Sequence, residues 1–142
     1  MKIGVTGTRS GMNEHQYKEL MDEMKMVLTE SSLVNQSVEV HHGDCVGVDV
    51  EFAEIAKELG FKTICHPPEK DELRAFHKSD EIREPKSYFA RNRTIVDECD
   101  LLIVIPYQDS HQTSGGTWYT HDYAVKKQKP VYVIFPMNET ND

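Results

Sequence analysis

The chain is predicted to be an α/β protein, a three-layer sandwich built on a mostly parallel sheet of about five strands. Three observations lead there. Short β-branched and apolar runs alternate with longer segments of helical periodicity along the sequence. The runs Leu101–Ile105 and 131–135 are apolar at every position, as strands covered on both faces by helices are. Glycine-bearing turns follow several of these runs, at the edge where a parallel sheet gathers its strand C-termini. Right-handed crossovers then give a Rossmann-like arrangement.

Taken in order, Lys2–Gly7 is short, β-branched and closed by glycine, a first strand. Residues 13–29 place Tyr17, Leu20, Met21, Met24, Val27 and Leu28 on one helical face. Residues 37–42 form a second strand. Val48, Phe52, Ile55, Ala56 and Leu59 mark a second amphipathic helix, with Gly60 as its stop. Residues 61–66 form a third strand, ended by Pro67 and Pro68. A third helix is expected over 87–98, a fourth strand over 100–106, a fourth helix over 116–128 and a fifth strand over 130–136. Residues 1–137 read as one domain and 138–142 as a polar tail.

Residues 66–86 fit no period. The stretch is half charged, with prolines near both ends and room for a short helix around 69–77. Two readings stay open for this insertion: a solvated surface excursion, or a lid over the ligand edge.

Sixteen Lys and Arg against twenty-four Asp and Glu give a net charge of −8. That balance argues against a nucleic-acid partner and against an anionic membrane surface. Three cysteines follow no framework spacing; Cys65 and Cys99 read as reduced core thiols and Cys45 as part of a ligand-side loop. Without a signal-like start or a long apolar stretch, a cytoplasmic protein is expected.

Four segments carry the chemistry: Gly7-Thr8-Arg9-Ser10, His42-Gly43-Asp44-Cys45, Arg91-Asn92-Arg93, and Thr113-Ser114-Gly115-Gly116-Thr117. In a parallel sheet these would converge on one crevice. Small residues there let amide N–H groups approach a phosphate, and arginine can bind its oxygens bidentately. The expected ligand is nucleotide-like. Ser114-Gly115-Gly116-Thr117 opens a helix and favours an anion, although Ser114 or Thr113 can also cap it. Asp44, inside its turn, is read as a contact to ribose hydroxyls, and Asp49 as structural. Trp118, the only tryptophan, either stacks on a base or anchors a partner subunit.

The order of these turns resembles the SLOG superfamily of nucleotide-binding domains, which includes the Lonely Guy phosphoribohydrolases and DprA. The closest resemblance is to its YspA-like branch. It rests on Gly7-Thr8-Arg9, on His42 through Asp49 running into Ala53, on Arg91-Asn92 with Ile95 and Asp100 through Val104, and on Ser114 through Thr120 reaching Ala124. It spans nearly the whole chain outside 66–86.

The resemblance implies binding of a nucleotide or ADP-ribose-type derivative, with a sensing or sequestering role in nucleotide signalling such as bacterial or phage defence. It also implies that Arg91 faces the ligand and that the protein pairs as a homodimer. The alternative it implies is an N-glycoside hydrolase that cleaves the base from a nucleoside 5′-monophosphate, with Asp122 and Arg91 catalytic. Asp122 stands where the Lonely Guy enzymes carry glutamate, and Ser114 and Trp118 replace family glycines. No cofactor is expected. No metal is expected either, since His41, His42, Cys45, His66 and His77 match no ligand spacing.

Overall fold

The structure, a computed structural model, describes residues 1–137; the tail expected at 138–142 lies outside the described residues. Strands and helices follow as β1 (Lys2–Gly7), α1 (Glu14–Leu33), β2 (Glu39–His42), α2 (Val48–Glu58), β3 (Lys62–Cys65), β4 (Glu81–Ile82), α3 (Tyr88–Glu98), β5 (Leu101–Ile105), α4 (Gly116–Lys126) and β6 (Val131–Val133). The sheet order is β4-β3-β2-β1-β5-β6, and every pairing is parallel. The predicted α/β sandwich is therefore present, with six strands where about five were expected.

Each layer follows from alternation along the central strands. In β5, Ile103 and Ile105 join Ile3, Val5 and the α1 and α2 residues Leu20, Met24 and Phe52 in one core. Leu102 and Val104 point the other way, against Ile95 and Val96 of α3 and Ala124 of α4. The pleat alone sends neighbours to opposite faces, so an unbroken apolar run is what two helix layers require.

Helix α1 begins with a capping box, in which the Asn13 side chain accepts from Gln16 N and Gln16 answers to the cap backbone. Buried Gln16 also donates through Nε2 to Pro106 O (2.8 Å) and Ile134 O (3.0 Å), which ties the helix start to the ends of β5 and β6. Helix α2 stops before Gly60, which takes φ +82°.

Two expectations need correction. No helix forms around 69–77; that backbone bonds instead to the loop after β2, with Val46 N donating to Leu73 O and Ala75 N to Asp44 O. The insertion then contributes β4, whose Glu81 and Ile82 pair with Ile64 and Cys65 of β3. Its first half lies against the loop after β2 at the C-terminal edge of the sheet, where Pro68, Glu69, Lys70, Glu72 and Leu73 border a cleft, and its ends are bonded to each other through Glu69 N to Lys86 O (3.0 Å).

Past β4 the chain recrosses to the far side of β1. Strand order thus reverses between β1 and β5, and the loops after these two strands flank a topological switch point, where open α/β sheets bind ligands. No helix among the described residues is long and apolar enough to cross a membrane.

Candidate functional site

Three loops meet at the C-terminal edge of the sheet. Thr8 locks the first of them: its N donates to Ile105 O (3.0 Å), and its O accepts from Val48 N (3.1 Å) at the start of α2. The loop after β2 passes so close that a Cβ on Gly47 (φ +89°) would lie 2.6 Å from Thr8 O and overlap Arg9 O. Gly43 is equally confined, since an added Cβ would fall 2.6 Å from Arg91 Nη1. Gly47 is required by close backbone approach, and Gly43 by the buried Arg91 guanidinium beside it.

Tyr88, in the first turn of α3, bridges the loop after β1 and the start of α4. The Arg9 guanidinium lies 5.6 Å from its ring centre and that of Arg91 5.0 Å. Its ring also crosses Gly116, where an added Cβ would sit 2.8 Å from Tyr88 Cε1. Beside it opens a cleft of about 410 Å³, walled by Arg9, Cys45 and Tyr88 on one side and by Pro68, Lys70 and Leu73 of the insertion on the other. Glu69, Glu72 and Ser87 complete the lining. Arg9 is exposed, and no ion pair engages it among the described residues.

Gly115, in open space at φ +98°, is the N-cap of α4, and no side chain caps the helix. Capping by Ser114 or Thr113, one of the two readings, is therefore not realised. Ser114 is exposed and Thr117 half-buried. The first amides of α4 keep their N–H groups for an outside acceptor.

Five other residues expected at the site have different surroundings. Arg91 is 2% exposed; it donates from Nη1 to Gly43 O and His66 O (3.0 Å) and from Nε to the Asn92 side chain (2.7 Å). Arg91 and buried Asn92 brace the turns from beneath. Asp44 is fully buried at φ +61°, accepting from Arg74 Nε and from His77 N, both at 2.8 Å. A carboxylate so enclosed anchors the insertion and has no face left for ribose hydroxyls.

Trp118 is 2% exposed, with its ring set edge-on to His111 and His121 and tilted on Phe135, which leaves no free face for a base. Asp122 accepts from His111 and His121 and shares no partner with Arg91. The pair expected to act together is not brought together. Helical rotation is the reason: Tyr119 and Tyr123 turn toward α3, bonding Arg93 and Asp97, while Trp118 turns toward Phe135.

Sequence reading did not single out Tyr88, Lys70 or Leu73. Tyr88 lies three residues before Arg91, a spacing that puts both on one helix face and was the available signal. Cys45 lines the cleft, yet burial and the nearby Asp49 push its thiol up, so it is not a ready nucleophile.

Beneath the loops, His42 accepts at Nδ1 from Asp44 N (3.0 Å) and meets Ser79 Oγ at Nε2 (2.8 Å), while His41 and His66 are 2.8 Å apart. Burial lowers His42 and His66 to about 3. The folded state thus holds them neutral, and the stability they contribute is present above about pH 6.5 and lost as pH falls toward about 3. Asp49, raised to about 6 by burial, works in the opposite sense between pH 6 and 4.

At about 1.4 kcal/mol per pKa unit, the two histidines cost roughly 4 kcal/mol between pH 7 and 5, and Asp49 restores roughly 1. Urea unfolding should therefore show a loss of about 2–3 kcal/mol over that interval. His42→Gln should flatten the dependence. An unchanged midpoint between pH 7 and 5 would show that these rings are not held neutral.

No protein-family model and no curated protein sequence matches the chain. Solved structures do. DprA from Streptococcus pneumoniae superposes with a TM-score of 0.68 at 18% identity, over 99% of this chain and 52% of that one. A molybdenum cofactor binding protein from Rippkaea orientalis gives 0.66 at 22% identity, over 94% and 76%. DprA from Helicobacter pylori gives 0.63 at 20% identity, over 100% and 68%. The chain spans about half the length of the pneumococcal protein.

The Helicobacter structure is described by its single-stranded DNA binding mode, which corrects the expectation that nucleic acid is not a partner. A net charge of −8 describes the whole surface, whereas strand binding on such a fold is a local matter. The chain has the Rossmann-like α/β fold that these proteins share.

Proposed function

We propose that the chain binds a phosphate-bearing nucleotide derivative of the AMP or ADP-ribose type in the Arg9–Tyr88 cleft, and holds it without cleaving it. The observation that carries this reading is the Tyr88 ring, set between the Arg9 guanidinium and the glycine start of α4. An aromatic face and a cation unpaired among the described residues line one cleft, with the uncapped start of α4 against the same aromatic ring, and together they suit a base joined to a phosphate. A neighbour of the same fold named for cofactor binding supports a small-molecule ligand. Gly7 and Thr8 fix the loop that carries Arg9, and Ser114 through Thr117 border the cleft through the contact of Gly116 with Tyr88. A sensing or sequestering role follows if the ligand is a signal.

The hydrolytic alternative has less support. Asp122 is engaged by two histidines, and Arg91 is an internal brace rather than a ligand contact. A strand-binding reading has the Helicobacter structure in its favour.

Thermal unfolding with AMP, ADP-ribose, NAD, adenosine and a single-stranded oligonucleotide separates these readings. A ligand at 100 times its Kd adds about 2.7 kcal/mol. AMP or ADP-ribose should raise the Tm, adenosine should not, and the ligand should be recovered intact. Arg9→Ala should abolish the shift while changing the free protein by no more than about 0.5 kcal/mol. Free base that accumulates in the wild type but not in Asp122→Ala would establish hydrolysis instead. A shift with the oligonucleotide alone would overturn the proposal.

A further inference from the structure

On the opposite flank of α4 from the cleft, His111 Nε2 and His121 Nδ1 each lie 2.7 Å from the same oxygen of Asp122. One ligand atom from each residue lies within 4.8 Å of the other two. Both imidazoles rest edge-on against buried Trp118, at 4.9 and 5.1 Å between ring centres, so an apolar wall fixes their orientation.

We infer that His111, His121 and Asp122 form a binding site for a late first-row divalent ion such as Zn²⁺ or Cu²⁺. Two imidazole nitrogens and one carboxylate suit these ions, whereas Mg²⁺ and Ca²⁺ prefer oxygen alone. Metal–ligand distances of about 2.0–2.1 Å separate neighbouring donors by roughly 3 Å; each histidine already stands 2.7 Å from the Asp122 oxygen, and the two ring nitrogens lie within 4.8 Å of each other. Each nitrogen facing Asp122 must then carry its lone pair, with the ring proton on the other nitrogen.

His111 and Asp122 are about half exposed, which leaves the remaining coordination positions to water and makes the ion exchangeable. The spacing of His111 from His121-Asp122 follows no familiar ligand pattern, because the loop after β5 supplies one donor and α4 the other two.

Equilibrium dialysis of the full chain against Zn²⁺ or Cu²⁺ should find one ion per chain. Cu²⁺ should also quench Trp118 fluorescence, saturating at one equivalent, since this is the only tryptophan. His111→Ala and His121→Ala should each weaken binding by at least about tenfold. His15→Ala, which removes the half-buried His15–Glu19 pair on α1, should leave it unchanged. Circular dichroism that matches the wild type shows each variant folded, and neither substituted histidine belongs to either apolar core. Absence of saturable quenching, or quenching that persists in the His111→Ala/His121→Ala double variant, would overturn the site.

Discussion

Replacing Arg91 by Met is expected to cost about 3–5 kcal/mol, a large share of the stability of a domain this size. The guanidinium is 2% exposed, and its donors hold Gly43 O, His66 O and the Asn92 side chain. Methionine fills much of the same volume but donates nothing, so two buried carbonyls lose their partner.

A second cost arises at Asp49. Burial already raises that carboxyl to about 6, and the Arg91 charge is the main influence pulling it down. Without Arg91 it should take up a proton at higher pH, and the loop after β2 would loosen. Urea unfolding measures the effect, with Arg91→Lys as the companion because it keeps the charge but loses the planar fork. Lysine should fall between wild type and methionine. A methionine variant within 1 kcal/mol of wild type would mean that Arg91 is not the brace described.

This expectation reverses the role that family resemblance implies for the residue. An arginine aimed at the ligand would change affinity and leave stability alone; a buried one does the opposite. Sequence alone does not separate the cases, because burial at position 91 depends on the insertion. That segment closes over the loop after β2 through Asp44, Arg74 and Leu73, which are contacts between residues some thirty positions apart.

Local features were legible. The apolar runs of β1, β5 and β6, the helical period of α1 and α2, and the stop at Gly60 all rest on neighbours in sequence. Strand β4 was not legible: two residues, one of them charged, join the sheet edge through the backbone of β3 rather than through any side-chain pattern. The last turn of α1, with Leu33 81% exposed, likewise continues past the apolar stripe that defined the prediction. At the site, the glycine turns were visible because crowding at Gly43, Gly47 and Gly116 and the positive φ of Gly115 demand glycine whatever the ligand. Trp118 and Asp122 were misplaced because the rotation of α4 about its axis is set by packing of Tyr119 and Tyr123 on α3.

Gly47→Ala should destabilise by about 3 kcal/mol or more, and comparison with Gly60→Ala shows why. Both glycines have positive φ, +89° and +82°. At Gly60 an added Cβ meets nothing within 4 Å, so its substitution costs only the left-handed backbone penalty of about 1–2 kcal/mol. At Gly47 the backbone (φ +89°, ψ −131°) occupies a region other residues avoid, worth about 1–3 kcal/mol. The Cβ there would also overlap Arg9 O and crowd Thr8 O, so the loop after β1 must give way. Because that loop carries the cleft arginine, Gly47→Ala should weaken ligand binding as well as stability, whereas Gly60→Ala should leave binding intact. Urea midpoints for the two variants, read beside ligand-induced Tm shifts, test both halves. Equal losses at the two positions would mean that the loops after β1 and β2 are not in contact, and that the crevice they form is not built as described.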